Sequence, residues 1–201
     1  MDNYANMTTA LQKWLNREGF TSLTDQTDDL LAIAQRRIER ECDLKAMMAV
    51  TTLAVNAQTI AAPADLLRVR SMSFDEGTGT QEIVGAPLGQ VLRYGSTAAP
   101  TRYAVVGTNF YFGPAPDQEY TVTLIYFTSM GVLTSGNTTN WLTDNAPEFL
   151  LWAAMLEACL FLKDDARAQV WEGRYTQIKG EVMKAEERMD KESGSLRVRN
   201  L

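Results

Sequence analysis

Apolar residues recur at helical spacing through residues 8–45. Leu11, Trp14 and Leu15 share one face of a first helix, with Thr8 or Thr9 as its cap and Gly19 as its stop. Thr27 is read as the cap of a second helix, with Asp28 and Asp29 in the first turn, where the helix dipole favours acids. Leu30, Ile33, Ala34, Ile38 and Cys42 make its apolar stripe, and Gln35, Arg36, Glu39 and Arg40 its solvated face.

The pattern changes at residue 47, where β-branched, aromatic and turn residues take over up to 132. Val50–Val55 and Leu67–Phe74 read as strands around a Pro63-Ala64-Asp65 turn. Arg102–Val106 and Asn109–Phe112 flank Gly107-Thr108, a hairpin signal, and Pro114–Asp117 is a further turn. From Tyr120 to Phe127 the side chains alternate, with Tyr120, Val122, Leu124 and Tyr126 on one face. A short helix is expected within 87–94.

Residues 133–145 form a polar loop carrying Trp141, and Pro147 then opens a helix that Asp144 or Asn145 would cap. This helix is apolar on nearly every side from Phe149 to Leu162, with one acid, Glu157, inside it. Its 14 apolar-rich residues cover ~21 Å at helical rise, short of a ~30 Å hydrocarbon core. A buried helix is therefore expected, with the N-terminal pair and the last helix packed around it. After a break at Lys163-Asp164-Asp165 the last helix runs to about Lys191, apolar at Ala168, Val170, Trp171, Tyr175, Ile178, Val182, Ala185 and Met189. Strands grouped apart from helices predict an α+β fold. The expected domains are a discontinuous helical domain (1–45 and 140–192), a β-rich insertion (46–139) and a tail (193–201).

Composition narrows the chemistry. Histidine is absent, which removes Ser-His-Asp and Cys-His catalysis, HExxH sites and mixed Cys/His zinc sites. Cys42 and Cys159 sit in helical patterns and read as buried hydrophobes rather than a disulfide. The net charge of −6, from 19 basic and 25 acidic residues, argues against a tight grip on nucleic-acid phosphates. For the same reason Tyr103, Phe110, Tyr111 and Phe112 read as sheet core rather than base-stacking platforms. The opening M-D-N-Y-A-N-M-T-T has neither a basic nor an apolar signal region, so no signal peptide is expected.

No phosphate-binding glycine motif occurs, and Gly77-Thr-Gly79-Thr80 reads as a loop tip. The Asp25–Asp29 cluster lacks the glycine and terminal glutamate of a calcium loop, and Asp164 and Asp165 diverge as neighbours. Glu157 has Ala153, Ala154, Leu160 and Phe161 at helical spacing, so its own helix supplies no partner. An ion pair with Arg36, Arg37, Arg40 or Arg174, buried or across a subunit boundary, is expected in preference to catalysis. No cofactor, metal or catalytic residue is expected.

Four stretches together carry a family likeness. They are A-L-Q-K-W-L-N-R-E-G-F with D-D-L-L-A-I-A-Q-R-R-I-E-R-E (10–41), T-I-A-A-P-A-D-L-L-R-V-R-S-M (59–72), P-T-R-Y-A-V-V-G-T-N-F-Y-F-G-P-A-P-D-Q-E-Y-T-V-T-L-I-Y-F (100–127) and N-W-L-T-D-N-A-P-E-F-L-L-W-A-A-M-L-E-A-C-L-F-L-K-D-D (140–165). In order and spacing they resemble the head–tail adaptor (connector) proteins of tailed bacteriophages, among them the podovirus tail-nozzle adaptors. The resemblance implies a non-enzymatic virion protein, assembled in the host cytoplasm into a ring of twelve copies. That ring would join the portal to the tail nozzle or other tail proteins. DNA would pass through its channel without specific binding, and no membrane would be involved. Leu196, Arg197, Val198, Arg199 and Leu201 in the tail are the candidate portal contacts. Two alternatives remain: another tail-completion or stopper protein, and a hydrolase or small-molecule-binding domain using Glu157 and Trp141.

Overall fold

The computed structural model describes residues 1–16, 26–77, 79–162 and 165–194. Among them the chain runs α1 (Tyr4–Trp14), α2 (Thr27–Glu41), a 3-10 turn (Lys45–Met47), β1 (Met48–Val55), β2 (Thr59–Ala61), β3 (Leu66–Asp75), β4 (Thr80–Glu82), β5 (Val84–Gly85) and α3 (Leu88–Val91). It continues through β6 (Arg102–Val106), β7 (Asn109–Gly113), β8 (Tyr120–Thr128), α4 (Trp141–Asn145), α5 (Pro147–Leu162) and α6 (Asp165–Gly194). Helices at both ends and strands between them make the fold α+β. Two compact units result: Met1–Ala46 with Met130–Leu201, and Met47–Ser129.

The second unit holds two four-stranded sheets, ordered β1-β8-β3-β4 and β2-β7-β6-β5. Tyr120, Val122, Leu124 and Tyr126 on β8 are buried, as the alternation predicts. They share one cluster with Met72 and Phe74 of β3 and Phe110 and Phe112 of β7, so inner faces of both sheets supply the core. β6 and β7 pair antiparallel about Gly107, whose φ of 60° is the left-handed geometry a two-residue hairpin turn requires. Gly113 is needed for space instead: a Cβ there would run into the Val91 carbonyl oxygen.

In the first unit α5 packs against α1, α2, α4 and α6. Neighbours around most of its girth explain why its sequence has almost no polar face. Phe149, Leu150, Leu151, Ala153, Ala154 and Met155 are fully or almost fully buried. Each of the larger side chains contributes ~1.5–3 kcal/mol by leaving water.

Several local expectations are corrected. α1 begins before Thr8 and Thr9, because the Asn3 side chain accepts from the Asn6 backbone N–H at 2.8 Å and caps it. Thr8 and Thr9 lie inside the helix and donate back to the Ala5 carbonyl at 2.9 and 2.8 Å. Gln26, not Thr27, holds the N-cap position of α2. Asp144 and Asn145 do not cap α5; they belong to α4, a turn opened by a capping box between Asn140 and Thr143. The expected Gly19 stop and the Lys163-Asp164 break lie outside the described residues.

The face of α2 also differs from its pattern. Gln35 and Glu39, expected in solvent, are 1 % and 6 % exposed, whereas Ile33, expected in the core, is 46 % exposed. Gln35 and Glu39 are buried because the segment 130–140, which belongs to the helical unit, lies over them.

Candidate functional site

Two polar constructions organise the helical unit. The first gathers on α2. Gln35 Nε2 donates to the Gly131 carbonyl at 2.7 Å and to Glu39 Oε1 at 3.1 Å. Its Oε1 accepts from Asn140 Nδ2 at 3.1 Å and from the Leu133 N–H at 3.2 Å, while Glu39 Oε1 accepts from the Met130 N–H at 3.0 Å. One glutamine thus satisfies both donors and acceptors of the chain as it re-enters the helical unit. Buried backbone groups without such partners would cost ~1–3 kcal/mol each.

The second construction joins α2, α5 and α6 around Arg37. Its Nε meets Glu41 Oε1 at 2.9 Å, one nitrogen meets Glu157 Oε1 at 3.5 Å and the other meets Glu172 Oε2 at 3.5 Å. The guanidinium carbon lies 4.7 Å from the centroid of the Tyr175 ring, which stacks at 5.2 Å on Phe149. Tyr175 donates its hydroxyl to Glu41 Oε2 at 2.7 Å, and Lys179 Nζ reaches the same oxygen at 2.7 Å.

These contacts set the charges. Burial opposes ionisation of Glu41, but hydrogen bonds from Lys179, Tyr175 and Arg37 outweigh it and hold the carboxyl at about 2. Burial, reinforced by the bond to Glu41, pushes the Tyr175 phenol far above its ordinary value. Near neutral pH Tyr175 is therefore a fixed donor. With Arg37 meeting carboxylates from three helices, the arrangement is a clamp.

Of the candidate residues, Arg37 and Glu157 come together. Arg36 and Arg40 are exposed on α2. Arg174 lines a separate recess of about 350 Å³ with Trp14, Trp152, Val170 and Trp171. There Trp152 and Trp171 stack at 5.4 Å and Trp14 meets Trp152 edge-on at 5.1 Å. The Trp171 indole N–H is buried with no partner among the described residues. Leu196, Arg197, Val198, Arg199 and Leu201 lie outside the described residues. Phe110 and Phe112 are fully buried, so neither can stack a base.

Reading the sequence alone missed the Gln35–Glu39–Asn140 network. One signal for it was present: Asn140-Trp-Leu-Thr143 has the spacing of a capping box, which fixes where the chain re-enters a helix. Among the described residues, no helix is long and apolar enough to cross a membrane, and no group of three or more His, Cys, Asp or Glu could hold a metal ion.

No curated protein matches the sequence. A family model described as SU10 adaptor protein matches residues 2–199, nearly the whole chain, and on that match the protein belongs to the SU10 adaptor protein family, a family of phage head–tail adaptors.

Proposed function

We propose that the protein is a structural adaptor at the head–tail junction of a tailed phage, assembling into a ring of twelve copies. The ring joins the capsid portal to the tail nozzle or other tail proteins and continues the DNA channel. The observation that carries this reading is the family match over residues 2–199. The architecture supports it: a subunit that bears load between two large assemblies needs rigid elements, and the Arg37 clamp and the Gln35 network tie the helical unit internally. A net charge of −6 suits a channel through which DNA passes without being held.

Electron microscopy of the purified protein mixed with its portal tests the proposal. A twelve-fold collar on the portal is expected. A protein that binds only after another component has docked would instead be a stopper, and the absence of any complex would reject the reading.

A further inference from the structure

Between α5 and α6 the helical unit leaves a groove of about 390 Å³. Leu156, Leu160 and Ala168 supply its apolar lining, while Arg37, Gln169 and Glu172 supply the polar lining. Leu160 is 66 % exposed and the following Phe161 44 %. Neither is needed to fill the core around α5, yet both are apolar where an exposed helical position ordinarily carries a polar group.

Among the described residues that line the groove, Arg37 is the one cation. Arg37 gives its close contact to Glu41 at 2.9 Å and meets Glu157 and Glu172 only at 3.5 Å. Glu172 is 53 % exposed, leaving room for a second guanidinium. The groove therefore fits a short segment that alternates aliphatic and basic side chains.

We infer that its occupant is the segment Leu196–Leu201 of a second copy of this chain. That segment reads L-R-V-R-N-L. Its aliphatic residues Leu196 and Val198 alternate along the sequence with the basic residues Arg197 and Arg199. The aliphatic pair then covers Leu156 and Leu160, and an arginine reaches Glu172.

Reach decides whose segment it is. From Glu172 to Gly194 α6 covers ~33 Å at helical rise. Residues 195–201, fully extended, cover at most ~25 Å. A segment that leaves α6 at Gly194 falls short of its own groove, so the donor is another molecule. The groove lies at the start of α6 and the segment beyond its end, so the contact is head-to-tail. Such a contact closes into a ring where the rotation between copies permits. The inference deepens the ring reading proposed above and rests on it for closure alone.

Fluorescence anisotropy with a labelled peptide of residues Ser195–Leu201, titrated with the full chain, tests it. Saturable binding is expected, weakened at least ~10-fold by Leu160→Asp or Glu172→Lys in the protein, or by Arg197→Glu with Arg199→Glu in the peptide. Leu160 and Glu172 are exposed, and circular dichroism would confirm that both variants fold. No saturable binding up to ~1 mM, or binding that Leu160→Asp leaves unchanged, overturns the inference. So does a peptide that binds purified portal but not this protein, which would make the tail a portal arm. A portal-bound ring formed by protein lacking residues 195–201 would likewise overturn it, while leaving the adaptor reading intact.

Discussion

Arg37 and Tyr175 form a cation–π pair, with the guanidinium carbon 4.7 Å from the ring centroid, and both side chains also hydrogen-bond to Glu41. Three helices meet there, and the interactions depend on one another. The aromatic face positions the guanidinium, and the guanidinium in turn faces carboxylates on α2, α5 and α6.

Replacing Arg37 by Ala leaves Glu41, Glu157 and Glu172 without their shared cation. A loss of ~1–3 kcal/mol is expected in urea denaturation followed by circular dichroism. Arg37→Lys should recover only part of it, because an ammonium cannot address several carboxylates and lie flat on a ring at once. Equal stability of the two variants would remove the geometric part of the explanation.

Glu41 makes folding pH-dependent. Its carboxyl is held at about 2 against an ordinary 4.5, so between those values the unfolded chain binds more protons than the folded one. Its stabilisation is complete above about 4.5 and declines as pH falls toward about 2. Melting temperatures measured across that interval should fall less steeply with acid in Glu41→Gln than in the native protein.

Gln35 offers the sharpest test of the 130–140 segment. Gln35→Ala removes the bonds to Gly131, Leu133 and Asn140 together. A cost of ~2–3 kcal/mol follows from the polar groups left unpaired. Hydrogen exchange should quicken at the Leu133 amide before it does at amides of α5.

Gly113→Ala should damage the β unit alone. The added methyl meets the Val91 carbonyl oxygen and the Tyr94 ring, so strand β7 must shift. A loss of ~1–3 kcal/mol is expected. Tryptophan fluorescence follows the helical unit separately, since Trp14, Trp141, Trp152 and Trp171 all lie in it. An unfolding transition seen by fluorescence that moves as far as the loss of β structure would show that the two units unfold together.

Much of this molecule was legible from one dimension because its signals are local. Period-two alternation from Tyr120 to Tyr126 requires only that one sheet face be buried, and it is. The apolar run from Phe149 requires only that a helix be surrounded, and α5 is surrounded on most sides as far as Cys159, whereas Leu160 and Phe161 near its end are exposed. Gln35 and Glu39 were misread because a polar residue on a predicted helix looks solvated until a distant segment covers it. Met130 to Asn140, 91 to 105 residues away in these contacts, does so.

The sequence by itself determined the α+β class, the helical periods, the turn at Gly107 and the absence of histidine chemistry, since each depends on residue type and near neighbours. It also pointed to an ion pair between Glu157 and an arginine of another helix, or one at a subunit boundary, in preference to catalysis. Which one depended on how α2, α5 and α6 are packed. Arg36, Arg37 and Arg40 lie within two turns of α2, and only the azimuth of that helix against α5 selects Arg37 and turns its neighbours to solvent. Such a rotation is set by side chains interlocking across helices, and no spacing along a single chain records it.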